Sequence, residues 1–132
     1  MRQIVYSQRL GGRLTAVAPG VLDAALASIG EPVTADVQLT FADEQSFRLT
    51  GEIRFDDEAT LRFRTLHGGR LDPSPEPDVR HGTAVLEICG GSGRFDGASG
   101  RITSNFVVTA DGEITDHHLG VVFVAERPRE EP

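Results

Sequence analysis

Residues 90–100 read Gly90-Gly91-Ser92-Gly93-Arg94-Phe95-Asp96-Gly97-Ala98-Ser99-Gly100, with five glycines in eleven positions. The glycines bracket one aromatic residue, Phe95, and one small residue, Ala98. Alternation of apolar and polar residues predicts a strand before this stretch, over 83–89, and another after it, over 101–108. Because glycine permits a positive φ and close backbone approach, we expect a bulged, sharply bent connection between these two strands.

The same alternation runs through most of the chain and predicts further strands. In segment 46–55, Phe47, Leu49 and Ile53 share one face, while Arg48 and Arg54 lie on the other. Asp111-Gly112, between segments 101–108 and 114–124, is typical of a tight hairpin turn. The other predicted strands are 3–7, 9–16, 37–41 and 60–66. Segment 21–29 fits a short helix or a strand, and a strand is favoured.

This spacing of strands and turns predicts an all-β, antiparallel fold of about eight strands with little helix, either a sandwich or a closed barrel. Two regions stay open. Segment 67–80 is a long loop stiffened by Pro73, Pro75 and Pro77, and it is a binding lid, a solvated connection or an arm that reaches a neighbouring subunit. Segment 114–124 has an inward face of Leu119, Val121 and Phe123, or the opposite face with Val122 and Val124. Since 121–124 is apolar on both faces, we expect a homo-oligomer.

Composition limits the class of partner. The chain has 132 residues and a net charge of −7, which argues against nucleic acid and anionic membranes as partners. We expect one domain over 1–126 and a disordered tail over 127–132. A single cysteine, Cys89, excludes an intrachain disulfide. Residues 1–7 lack the apolar core of a signal peptide, so the expected location is the cytoplasm.

The glycine-rich stretch resembles the G-G-[ST]-G-x-[FY]-x-x-A-x-G element of the allene oxide cyclase-like barrels. That group includes plant dirigent proteins and bacterial polyketide cyclases. The longer stretch through 102–106 and 112–116 resembles a set of small bacterial proteins. The resemblance implies an eight-stranded antiparallel barrel with an apolar central cavity, usually oligomeric. It implies no catalytic residue, because the glycine element belongs to the architecture of the barrel.

The expected function is therefore to bind an apolar or polyketide-like small molecule in the barrel. Such a protein could be a cyclase or isomerase that acts by confining its ligand, without a metal or an organic cofactor. It could instead be a non-catalytic carrier. A third alternative is a barrel filled by its own side chains, with a structural role, because eight strands enclose just enough space for either.

Candidate site residues follow from which strand face is turned inward. If the face of Thr83, Val85 and Cys89 lines the cavity, Glu87 is a carboxylate in an apolar pocket that could act as acid or base. If the opposite face does, Glu87 lies outside, and Asn105 shares this ambiguity. His117 and His118 point to opposite faces of a strand, so one is expected inside. The catalytic candidates are Glu87 and His81, and the ligand-binding candidates are Tyr6, Glu87, Asn105 and His117. Histidine and cysteine spacings typical of metal ligands are lacking, so no metal is expected.

Overall fold

The computed structural model describes residues 1–126, which form nine β-strands and one short 3-10 helix, Gly93–Phe95. The strands, in chain order, are β1 (Arg2–Ala18), β2 (Val21–Ser28), β3 (Thr34–Phe41), β4 (Ser46–Arg54), β5 (Thr60–Thr65), β6 (Gly69–Pro73), β7 (Val79–Ser92), β8 (Ser99–Thr109) and β9 (Glu113–Val124). All their pairings are antiparallel. Segment 21–29 is thus a strand over most of its length, as favoured from the sequence.

The sheet closes on itself. Strand β1 pairs with β2 on one side and with β9 on the other, and β3 pairs with β4. Both β5 and β6 lie between β4 and β7, one after the other along the same line, so together they fill one strand position. The ring therefore has eight positions, which confirms the predicted all-β, eight-stranded closed barrel.

Alternation along each strand separates the core from the surface. On β4, Phe47, Leu49 and Ile53 are buried inside the barrel, while Arg48 and Arg54 are exposed. Turns of the β1–β2, β3–β4 and β8–β9 hairpins surround one end of the barrel, called here the open end. The β4–β5 turn and the β7–β8 connection lie at the other end, called the closed end.

The glycine-rich connection from β7 to β8 covers the closed end. Gly93 and Gly97 have φ of 61° and 70°, and a Cβ on Gly100 would collide with the carbonyl oxygen of Val121. Phe95 is buried beneath this bend. The Arg94 guanidinium lies 4.1 Å from the Phe95 ring centre, and its Nε donates to Asp57 Oδ2 at 2.6 Å. The predicted bent connection is confirmed, and it acts as a plug for the closed end.

The structure resolves the two regions that the sequence left open, segment 67–80 and the inward face of β9. The predicted 67–80 loop is wrong in extent, because β6 occupies its first half and only 74–78 joins β6 to β7. Strand β6 forms because Leu71 turns into the barrel and Gly69 leaves room for the Phe47 ring. In β9, Val122 and Val124 face inward, because a Cβ on Gly120 would collide with the Tyr6 ring. The tail predicted over 127–132 lies outside the described residues.

Candidate functional site

The open end of the barrel forms a pocket of about 1010 Å³, called here the cup. Its wall is made of inward-facing apolar side chains from five strands, and its floor is the ring of Phe106. The wall residues are Leu14, Leu22, Leu39, Phe41, Leu71 and Val108. The cup exists because no side chain fills the space at the open end of the barrel, whereas buried side chains fill the middle of the barrel. An apolar molecule in the cup would contact these side chains on one part of its surface, and the rest of it would face solvent at the open end.

Four charged residues line the cup. Asp43, Glu44 and Asp111 lie in the hairpin turns, and Arg80 lies at the start of β7. Backbone amides of Gln45 and then Ser46 donate to Asp43 and hold the pKa of its carboxyl below the usual range. The Thr109 hydroxyl does the same for the pKa of Asp111. Both carboxylates are therefore engaged in shaping their turns and stay ionised at neutral pH.

Aromatic rings separate the cup from the middle of the barrel. The ring centres of Phe41 and Phe47 are 5.5 Å apart, and those of Phe47 and Phe106 are 5.7 Å apart. Phe106 packs against Gly82, where a Cβ would collide with the ring. Phe41 and Phe106 thus line the cup, and the Phe47 ring packs against both of them.

Four polar side chains point into the barrel from β1, β8 and β9, and they are called here the interior cluster: Tyr6, Ser104, Asp116 and His118. Ser104, Asp116 and His118 are between 1% and 2% exposed. The Ser104 hydroxyl donates to Asp116 Oδ1 at 2.8 Å. His118 Nε2 lies 2.9 Å from Asp116 Oδ2, but its N–H is not aligned for a directed hydrogen bond. The contact is therefore chiefly electrostatic, and His118 Nδ1 has no partner among residues 1–126.

Tyr6 supplies the fourth polar group. Tyr6 as a whole is partly exposed, but its hydroxyl oxygen is shielded from solvent. That oxygen has no hydrogen-bond partner among residues 1–126. Burial raises the pKa of Tyr6 well above its ordinary value, and the Asp116 carboxylate raises it further. The ring is held edge-on to Phe55, with centres 5.2 Å apart, and lies over Gly120. Tyr6 is therefore a fixed, neutral donor inside the barrel.

Comparison with known proteins identifies the fold. No protein-family model matches the chain, and no curated protein matches it in sequence. The solved structure of a pterocarpan synthase dirigent protein, GePTS1, matches with a TM-score of 0.58 and 18% identity, over 94% of this chain and 92% of that one. The fold is a dirigent-like barrel. The likeness of its glycine motif to small bacterial proteins stays a prediction.

The structure resolves which face of each strand lines this dirigent-like barrel. On β7, Ala84, Leu86 and Ile88 are buried inside, so Glu87 lies outside, where its Oε2 is 3.6 Å from Arg64 Nε. Asn105, His117 and His81 are exposed on the same outer side. The sequence left the inward face open for Glu87 and Asn105, and the structure places both of them, together with His117, on the outer face. Of the ligand-binding candidates, Tyr6 alone points inward.

The sequence reasoning missed Ser104, Asp116 and His118. The signal that could have found them is parity: Asp116 and His118 lie an even number of positions from both Ile114 and Val122, so they share the face of those two residues. That signal was masked because Leu119, Val121 and Phe123 give the opposite face an equally apolar appearance. Within residues 1–126, no group of three His, Cys, Asp or Glu side chains is placed to hold a metal ion. No helix in this part of the chain is long and apolar enough to cross a membrane.

Proposed function

We propose that the protein binds an apolar or polyketide-like small molecule in the cup and holds it in a folded conformation. The observation that carries this proposal is the apolar cup itself, with its wall of aliphatic and aromatic side chains above the Phe106 floor. Its volume of about 1010 Å³ is at the upper end of the range for ligand pockets. Confinement of a flexible chain in such a space brings its reacting atoms together, as a cyclase or isomerase requires.

A non-catalytic carrier would bind its ligand in the same cup, whereas a barrel with a purely structural role would bind no ligand there. The filled middle of the barrel favours the structural alternative for that region, because Leu10, Leu61 and Ile102 leave no exposed surface there. Binding in the cup therefore separates the ligand-binding proposals from the structural one. Turnover of the bound molecule then separates a cyclase or isomerase from a carrier.

The binding test uses the apolar dye Nile red, whose fluorescence rises in apolar surroundings. Leu14→Trp puts a larger side chain into the cup, and Thr15→Trp puts the same side chain on the outer face of the same strand. We expect wild type and Thr15→Trp to bind the dye equally and Leu14→Trp to bind at least about tenfold more weakly, since partial filling removes contact area. Equal binding by all three proteins, or by none, would contradict the cup as the binding site.

We also propose that two or more copies associate through the outer face of β1 and β9. Val5 and Leu119 are 57% and 49% exposed there, and Val121 is the direct neighbour of Val5 across the ladder. Burial of these side chains against a second copy would remove an apolar strip from water. Light scattering of wild type and Leu119→Lys at micromolar concentration tests this. A monomer mass for wild type would contradict association.

A further inference from the structure

Arg80 is the one basic residue, within residues 1–126, that lines the cup. It lies near the start of β7, on the inward face that it shares with Gly82 and Ala84. Val108, a wall residue of the cup, is its direct neighbour across the β7–β8 ladder. Because Arg80 as a whole is exposed, its methylene groups can follow the apolar wall while its guanidinium stays in water at the mouth of the cup.

The guanidinium of Arg80 forms no ion pair in the part of the chain that the structure describes. Five other arginines there do form ion pairs with carboxylates, as Arg13 does with Glu113. The five paired arginines do not line the cup. The positive charge inside the mouth of the cup is thus without a carboxylate of its own.

The three carboxylates that line the cup do not neutralise Arg80. Amide hydrogen bonds of its own turn lower the pKa of Asp43 most, and the cation that lowers this pKa further is Arg70. A hydroxyl of its own turn lowers the pKa of Asp111 most, and the cation that acts on it is Arg13. The third carboxylate is exposed in the same turn as Asp43. Arg80 is therefore available to a ligand.

We propose that the ligand of the cup is an apolar molecule with a single anionic group at one end, and that Arg80 binds this group. This inference rests on the proposed function, because the wall of the cup binds the apolar body. A guanidinium presents its N–H donors as a planar fork that fits two oxygens of one anionic group. The ion pair would fix the direction of the ligand, with its apolar body against Leu71 and Val108 and its anionic end at the mouth.

The charges around Arg80 limit the ligand to one anionic group. Without Arg80, the charged residues that line the cup would all be carboxylates. These carboxylates repel negative charge, so an anion is attracted at Arg80 and a second anionic group on the same ligand would be repelled. Removal of the Arg80 charge should therefore weaken binding of an anionic ligand and leave binding of a neutral ligand of the same shape unchanged.

The test uses two dyes that differ only in charge. The anionic dye is 8-anilinonaphthalene-1-sulfonate, and the neutral dye, N-phenyl-1-naphthylamine, is the same molecule without the sulfonate. The fluorescence of both rises in apolar surroundings, so titration gives the Kd of each dye for each protein. Arg80→Gln removes the charge in the cup, and Arg80→Lys keeps that charge but lacks the fork. Arg48→Gln removes the same charge from the outer face of β4 and is the matched control.

We expect Arg80→Gln to bind the anionic dye about fivefold more weakly than wild type, as for loss of an ion pair that is open to water on one side. Arg80→Lys should lose less, and Arg48→Gln should match wild type. All four proteins should bind the neutral dye equally. Added salt should weaken binding of the anionic dye to wild type more than to Arg80→Gln, because salt screens the ion pair.

The outcomes separate this inference from the proposed function. If wild type binds the neutral dye, and Arg80→Gln binds the anionic dye as tightly as wild type does, the cup stands and the role of Arg80 is overturned. Equal weakening by Arg80→Gln and Arg48→Gln would also overturn it, because the effect would then come from the net charge of the protein. If wild type binds neither of these dyes nor Nile red, the proposed function itself is overturned.

Discussion

Replacing Tyr6 by phenylalanine should make the folded protein more stable. The Tyr6 hydroxyl is shielded from solvent and has no hydrogen-bond partner among residues 1–126. Burying such a group lowers stability by roughly 1–3 kcal/mol. Because part of the Tyr6 residue is exposed, we take the lower end and expect the free energy of unfolding to rise by about 1 kcal/mol. For a chain of this size, that corresponds to a rise in Tm of roughly 4 °C.

Thermal and urea unfolding of wild type and Tyr6→Phe measure this difference. Tyr6→Leu is the control, because it also removes the ring that packs against Phe55 and over Gly120. We expect that variant to lose about 2 kcal/mol of stability. A loss of about 1 kcal/mol or more in Tyr6→Phe would show that the hydroxyl is hydrogen-bonded in the folded protein. The reasoning that treats Tyr6 as a free donor inside the barrel would then be refuted.

Three further predictions concern other contacts of the barrel. Tyr6 is the only tyrosine, and its pKa is higher in the folded protein than in the unfolded chain, where it is about 10. The free energy of unfolding is therefore unaffected by this group below pH 10 and falls as the pH rises from there toward the folded pKa. Near-ultraviolet tyrosinate absorbance should therefore appear only as the circular dichroism of the fold is lost, and tyrosinate in the folded protein would contradict this. Gly120→Ala should lower the free energy of unfolding by roughly 1–3 kcal/mol in denaturant titrations, because the new methyl group collides with the Tyr6 ring. The loss should shrink in a Tyr6→Leu background, and equal losses in both backgrounds would exclude that collision as the cause. At the closed end, the hydrogen bond from Arg94 lowers the pKa of Asp57, so its contribution to stability is present above the unfolded pKa and is lost as pH falls through the folded one. Unfolding curves of wild type and Asp57→Asn should therefore differ at neutral pH and converge in acid, and a difference that is independent of pH would count against the ion pair.

Strands and their inward faces could be predicted from the sequence wherever one strand face is apolar and the other is polar. In segment 46–55, phenylalanine, leucine and isoleucine alternate with arginine and threonine, so only one face can line the core. The glycine-rich bend was also predictable, because residues such as Gly93 and Gly97 adopt a positive φ that other residues rarely tolerate. Local chemistry determines both features.

The interior cluster could not be predicted because it depends on contacts between distant parts of the chain. Both faces of β9 are apolar near its end, and it is the Tyr6 ring on β1 that requires Gly120 to face inward. Once Gly120 is inside, Asp116 and His118 must be inside as well. Polarity patterns place such residues at the surface, as happened for the choice of His117 over His118. Strand β6 escaped notice for a similar reason, since Leu71 is its only large inward side chain.

Native mass spectrometry of the protein purified from cells tests the ligand-binding cup most directly. Gentle ionisation followed by a denaturing step releases any bound molecule and gives its mass. We expect an apolar small molecule to be retained by wild type and by Thr15→Trp, and to be absent from Leu14→Trp. If wild type and both variants carry no small molecule and wild type does not bind Nile red, the cup is not a binding site. That result would favour a barrel with a purely structural role.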